Sequence, residues 1–262
     1  MSQYKILFLD IDGTILRPDD TIEGSTKDAI SQVQAKGIEV FLATGRPLHE
    51  LQEIFKTLKI QSSIGYNGAF GLYKGEVLFN EPMNPETIKQ LLSVAELNNH
   101  EAVLYTKDQN LFTTLNNPLT KEFIERFHLH HNEVYSPSFE NDILGLTLIN
   151  LGEKEVNLYK NKDGVHLSQV NVEGLYHCYD VIRDTVNKGI GIGYVLKHLG
   201  IKKEHSIAFG DGMNDKEMLM SVGTSFAMGN GHPDLFQYAT HKTTSVTESG
   251  IYNGLKKLEI IN

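Results

Sequence analysis

Apolar and polar positions in this 262-residue chain follow two rhythms, and the switch between them marks out its elements. Ile6-Leu7-Phe8-Leu9 is an unbroken apolar run that ends at Asp10-Ile11-Asp12-Gly13-Thr14. Absence of alternation followed by a glycine turn predicts a strand buried on both faces, as in a parallel sheet. From Ser25 to Lys36 the apolar positions Ala29, Ile30 and Val33 share one helical face, with Ser25 expected as N-cap and Gly37 as the stop. Ile38 to Ala43 reads as a second strand ending at Thr44-Gly45-Arg46-Pro47. Pro47 then opens a helix whose stripe is Leu48, Leu51, Ile54, Phe55 and Leu58. The same rhythm returns late in the chain, with a helix over Gly189 to Leu199 closed by Gly200, a strand over Ser206 to Phe209, a helix start at Asp215 to Met220 and a strand over Ser225 to Met228.

Alternating strands and helices of this kind predict an α/β fold with a doubly wound, Rossmann-like parallel sheet. The middle of the chain has a different character. Strand-like runs at Ala102 to Tyr105, Ile143 to Leu151, Val165 to Val170 and Leu175 to Tyr179 alternate with helical patterns at Thr87 to Leu97 and Pro118 to Phe127. The reading is a core of residues 1–81 and 186–262, interrupted by an inserted α+β domain over 82–185.

Composition narrows the class. A 40 % hydrophobic content suffices for a sizeable core, and a net charge of −9 disfavours nucleic acid or an anionic membrane as partner. The single cysteine, Cys178, cannot close an internal disulfide, and no apolar run approaches the roughly 18 residues of a membrane span. A soluble cytoplasmic protein is expected, as a monomer or weak homo-oligomer.

The polar residues left at element ends carry the chemistry. Asp10, Asp12, Thr44, Lys188, Asp211 and Asp215 all fall where strands end or helices begin, the edge at which open α/β sheets bind ligands. Two carboxylates about 4 Å apart repel by roughly 4 kcal/mol at an effective dielectric of 20, so such a cluster calls for a hard cation. Magnesium suits it, because it takes oxygen ligands and bridges to substrate phosphate. Lys188 would add a point charge and Thr44 a directed hydrogen bond around a phosphoryl group. The aspartate pair has a blander reading as a capping turn, and taken singly Lys188 reads as a solvated lysine at a helix start and Thr44 as a cap.

In order and spacing these residues resemble the haloacid dehalogenase-like phosphohydrolases, specifically the Cof-type group with a large inserted cap. The resemblance rests on Asp10-Ile11-Asp12-Gly13-Thr14, Thr44-Gly45-Arg46, Asn187-Lys188-Gly189 and Gly210-Asp211-Gly212-Met213-Asn214-Asp215, with Asn67-Gly68-Ala69 at the third-strand edge. It implies a magnesium-dependent phosphatase of small phosphorylated metabolites. Asp10 would be the nucleophile forming an aspartyl-phosphate and Asp12 the acid and base, with Thr44 and Lys188 completing the catalytic set. The metal would be held by Asp10, the Asp12 backbone carbonyl and Asp211, oriented by Asp215. Ile11 and Gly45 would lie at the substrate phosphate, Asn214 near the phosphate or Lys188, and the cap would close over the substrate and select it. A phosphomutase or phosphotransferase with the same intermediate, or a phospho-ligand-binding module, are the alternatives.

Weaker signals have blander readings. His128, His130 and His131 are expected at a helix C-terminus rather than on a metal. Gly189, Gly191 and Gly193 suggest close helix packing, and Cys178 and His177 suggest packing in a strand. Arg46 and Asn67 stand at strand ends as substrate contacts, and Asn116, Asn117 and Arg183 are candidate readers of the leaving group.

Overall fold

The computed structural model describes residues 3–160, 164–170 and 172–262. The chain divides into two compact units, Met1–Arg46 with Gln52–Asn80 and Asn187–Asn262, and Pro47–Leu51 with Glu81–Val186. The first unit begins with β1 (Ile6–Leu9), α1 (Gly24–Ala35), β2 (Glu39–Ala43), α2 (Gln52–Leu58), β3 (Ser63–Gly65), β4 (Phe70–Tyr73) and β5 (Glu76–Asn80). The second contains α3 (Pro85–Leu97), β6 (Glu101–Tyr105), β7 (Asn110–Phe112), α4 (Pro118–Arg126), β8 (Asn132–Val134), β9 (Gly145–Ile149), β10 (Val165–Gln169) and β11 (Tyr179–Arg183). The first then resumes with α5 (Lys188–Leu199), β12 (Ser206–Gly210), α6 (Lys216–Ser221), β13 (Thr224–Ala227), β14 (His241–Lys242) and α7 (Gly250–Lys257).

The sheet of the first unit runs β14-β13-β12-β1-β2-β3-β4-β5. Its pairings are parallel from β14 to β3, and the hairpin β3-β4-β5 adds an antiparallel edge. Strand order reverses between β1 and β12, the switch point at which doubly wound sheets open a crevice. Register decides what meets there. Leu9 lies opposite both Leu42 and Phe209, so the chain leaves β1 at Asp10, β2 at Thr44 and β12 at Asp211 along one edge.

All four β1 residues are buried, as an unbroken apolar run requires when helices cover both faces. Ile6 and Phe8 pack with Ile192 and Val195 of α5 and Met218 and Leu219 of α6. On the opposite face α7 approaches so closely that a Cβ at Gly254 would stand 2.5 Å from the Phe209 ring. The glycines of α5 act similarly. A Cβ on Gly189 would lie 2.5 Å from the Glu217 carbonyl oxygen and one on Gly191 2.8 Å from Ile64, whereas Gly193 faces open space.

The second unit is a six-stranded sheet, β10-β11-β9-β6-β7-β8, antiparallel except between β7 and β8. Successive β6 side chains alternate faces, so Ala102 and Leu104 meet Ile88, Leu91 and Ala95 of α3 while Val103 meets Phe123 of α4. No helix among the described residues is long and apolar enough to cross a membrane.

Two expectations about local structure are corrected, and one turn has no counterpart among them. Ser25 does not cap α1; Glu23 occupies that position, and the Ser25 hydroxyl instead bonds Glu23 and Ser249. Leu175 to Tyr179 is a turn held by Cys178 N–H to Leu175 carbonyl, and the strand starts only at Tyr179. The β4-β5 hairpin turns on Lys74-Gly75, both at positive φ as a two-residue loop requires. Lysine there gives no sequence signal of a turn.

Candidate active site

The segment after β1 folds tightly about one carbonyl. Ile11 O accepts from the N–H groups of Thr14, Ile15 and Leu16 at 3.3, 2.9 and 2.8 Å, which curls the chain so that Asp10 and Asp12 diverge. Gly13 completes the curl at φ 75°, and a Cβ there would stand 2.2 Å from Asp211 Oδ2, so no other residue fits.

Asp10 is 5 % exposed and Lys188 fully buried. Lys188 Nζ donates to Asp10 Oδ1 and Asp215 Oδ1, both at 2.6 Å. Asp215 Oδ2 accepts the Asp211 and Gly212 N–H groups at 2.9 and 3.0 Å, so both its oxygens are engaged. Lys188 reaches this place because Asn187 caps α5, accepting from Ile190 N–H. The preceding chain lies against Gly68, where φ is 106° and a Cβ would meet the Asn187 carbonyl oxygen at 2.2 Å.

The electrostatics are unbalanced. Burial, then Asp215, push the Asp10 carboxyl well above the usual carboxylate range, with the Lys188 ammonium opposing them. Asp211 is pushed up to about 6 by burial and Asp215, while the Thr14 hydroxyl, 3.1 Å from its Oδ1, favours the charged form. Burial alone would neutralise Lys188, but Asp10 and Asp215 outweigh it and hold the ammonium charged. Three carboxylates therefore face one lysine. One ligand oxygen from each of Asp10, Asp211 and Asp215 falls within 4.8 Å of the others. An all-oxygen, anionic donor set of this kind fits magnesium and not a soft metal.

Asp12 contributes its carboxylate elsewhere. It is held bidentate by Arg46, with Nε 2.9 Å from Oδ2. Of the four aspartates expected at the metal, the structure thus gathers the carboxylates of three, and Asp12 has only its backbone carbonyl left to offer. Thr44 is fully buried, and its hydroxyl accepts the Arg46 N–H at 3.1 Å. The N–H groups of Ile11 and Gly45 have no acceptor among the described residues, as a phosphate cradle would need. Asn67 sits at positive φ with its N–H on the Thr44 carbonyl, and its Oδ1 accepts from Asn214 Nδ2 at 3.3 Å. Asn214 therefore touches Asn67 and not Lys188.

The weaker candidates resolve as structure. His130 and His131 use backbone groups, His130 N–H to Glu50 Oε1 and Asn110 N–H to the His131 carbonyl, and α4 already ends at Arg126. No metal-compatible cluster among the described residues includes these histidines. Cys178 packs with Val103, Phe112 and Phe123, and burial pushes its thiol up to about 12, far from a nucleophile. Asn117 caps α4 and also donates to Glu101, while Arg183 donates to the Glu81 and Leu144 carbonyls. Two contributors went unforeseen, the ion-pairing role of Arg46 and the Asn230 amide beside Asp211. The Gly-Asn-Gly turn following a strand, Gly229 to Gly231, was the available signal for the second.

A family model described as haloacid dehalogenase-like hydrolase matches residues 7–255. YkrA of Bacillus subtilis (strain 168), provisionally named a phosphatase, is 31 % identical over 260 residues, 98 % of each chain. A solved hypothetical protein from Geobacillus kaustophilus HTA426 has a TM-score of 0.90 at 31 % identity, over 98 % of this chain and 100 % of that one. The subclass IIB sugar phosphatase BT4131 of the same superfamily has a TM-score of 0.84 at 27 % identity, over 98 % and 100 %.

Proposed function

The chain belongs to the haloacid dehalogenase-like hydrolases and is a phosphatase among them, and from that premise we propose that it hydrolyses small phosphorylated metabolites through a phosphoenzyme formed at Asp10. The observation that carries this reading is the charge imbalance around a single buried ammonium. Asp10, Asp211 and Asp215 bring three formal negative charges and Lys188 one positive, a surplus that a divalent cation neutralises.

Asp10, the Asp12 carbonyl and Asp211 would hold magnesium, with Asp215 keeping the Asp211 backbone in place. When bound, the ion supplies Lewis-acid stabilisation of the phosphoryl oxygens. Lys188 orients the Asp10 carboxylate through Oδ1 and balances charge gathered on the transferring group. In the first half-reaction an Asp10 oxygen bonds phosphorus as the bond to the leaving oxygen breaks, and Asp12 delivers a proton to that oxygen. In the second, water attacks phosphorus while Asp12 takes its proton, releasing phosphate and restoring the Asp10 carboxylate. Arg46 sets the Asp12 position before the acid step, and Asp12 must turn from it to reach the leaving oxygen. The buried Thr44 and the free N–H groups of Ile11 and Gly45 would receive phosphoryl oxygens. The second unit carries none of the acidic cluster, and its role would be to select the leaving group.

Phosphate release across sugar phosphates, pyridoxal phosphate, flavin mononucleotide and nucleotides tests the reading. At least one should exceed p-nitrophenyl phosphate in kcat/KM by about tenfold or more, the scale of modest leaving-group contacts. Chelation should abolish release in every case. Turnover undiminished by a chelator would remove magnesium from the account, and no release from any phosphomonoester would remove the activity.

A further inference from the structure

Asn230 lies 217 positions from Gly13 in sequence, yet its side chain joins three parts of the site. Nδ2 donates to the Gly13 carbonyl at 2.8 Å and approaches Asp211 Oδ2 at 3.4 Å, while Oδ1 accepts the Val246 N–H at 2.8 Å. These partners leave the amide one possible orientation. A donor must face the Gly13 carbonyl, and an acceptor must face the Val246 N–H.

The backbone around Asn230 is pinned just as closely to the strand end. Met228 N–H donates to the Gly210 carbonyl at 3.0 Å and His232 N–H to the Asp211 carbonyl at 2.8 Å. A Cβ on Gly231 would stand 3.0 Å from the Asp211 carbonyl oxygen, and one on Gly229 2.8 Å from Ser245 N. The turn therefore cannot drift without moving Asp211.

Each Asp211 oxygen faces one neutral side-chain donor, Thr14 Oγ1 on Oδ1 at 3.1 Å and Asn230 Nδ2 on Oδ2, while the Asp10 carboxyl lies against the same group where a shared cation would sit between them. Two donors on opposite oxygens fix the rotation of a carboxylate and leave its remaining lone pairs for a ligand. We propose that Asn230 is a positioning residue that, with Thr14, orients the Asp211 carboxylate and the Gly13 turn for magnesium. This rests on Asp211 being a magnesium ligand, as read above. Groups that hold metal ligands in place typically contribute 10- to 100-fold in metal affinity.

The test is magnesium binding by calorimetry, together with the magnesium concentration that half-raises the thermal midpoint, on the full chain without substrate. Asn230→Ala should weaken both about 10- to 100-fold. Wild-type affinity in Asn230→Ala would overturn the proposal. If Asp211→Asn abolishes binding while Asn230→Ala does not, only the role of Asn230 falls. A wild-type protein that magnesium does not stabilise overturns the reading of Asp211 and the proposal with it.

Discussion

Asp10→Asn should lower magnesium-dependent phosphate release by about 10⁴-fold or more, the scale seen when a covalent nucleophile is removed. The amide keeps the size of the side chain but cannot attack phosphorus as an anion. Folding should survive, and the sign of the effect follows from the site. A carboxyl held well above its ordinary range has a folded pKa above its unfolded one. Its negative charge therefore costs stability above the unfolded value, and a neutral amide is spared that cost. Lys188 retains Asp215 at 2.6 Å, so the ammonium is not left alone. Without magnesium the variant should melt no lower than wild type, and magnesium should raise its midpoint less. An inactive variant that fails to fold would not match this expectation, and neither would a folded one with near-normal turnover.

Lys188→Met should be damaging in both respects. The ammonium is fully buried between Asp10 and Asp215, and deleting it leaves two neighbouring carboxylates with no cation. Breaking a buried pair from one side costs about 3–5 kcal/mol, and activity should fall by roughly 10³-fold or more as the orienting charge on Asp10 is lost. Lys188 itself titrates above the ordinary lysine value. Its stabilisation is complete below the unfolded lysine pKa and unchanged across neutral pH. The variant should behave differently. With the lysine gone, nothing opposes the burial that already pushes the Asp10 carboxyl up, and Asp10 takes up a proton more readily, so Lys188→Met should be closer to wild-type stability at pH 5 than at pH 8. Urea unfolding at the two pH values measures this, and an equal deficit at both would contradict it.

Much of this site was legible because strand ends advertise themselves. Asp10, Thr44 and Asp211 each follow an apolar run, and parallel register brings the three runs to one edge without further information. Lys188 and Asp215 could be placed from local signals too, an Asn cap before a glycine-rich helix and a turn after a strand. What stayed hidden depended on contacts between distant residues. Nothing near Arg46 says that it will hold Asp12 across 34 positions, and nothing near Asn230 says that it will reach Gly13. Pro47–Leu51 reads as the start of a core helix, yet it belongs to the second unit. Glu50 is tied there by Asn110 Nδ2 at 2.6 Å and His130 N–H at 2.9 Å, partners 60 and 80 residues away. Strand β11 is obscured for a local reason: Asp180 and Arg183 interrupt its apolar pattern, and the residues just before it, Leu175 to Cys178, carry enough apolar character to draw the strand reading forward.

The central claim is that phosphate passes through Asp10, and borohydride trapping tests it most directly. Borohydride reduces an acyl phosphate to an alcohol, so enzyme quenched during turnover should carry homoserine at position 10. Mass spectrometry of the peptide containing Asp10 and Asp12 should show this conversion only when substrate and magnesium are both present, with Asp12 unchanged. Conversion at Asp12 instead, or none at any quench time during active turnover, would contradict the account.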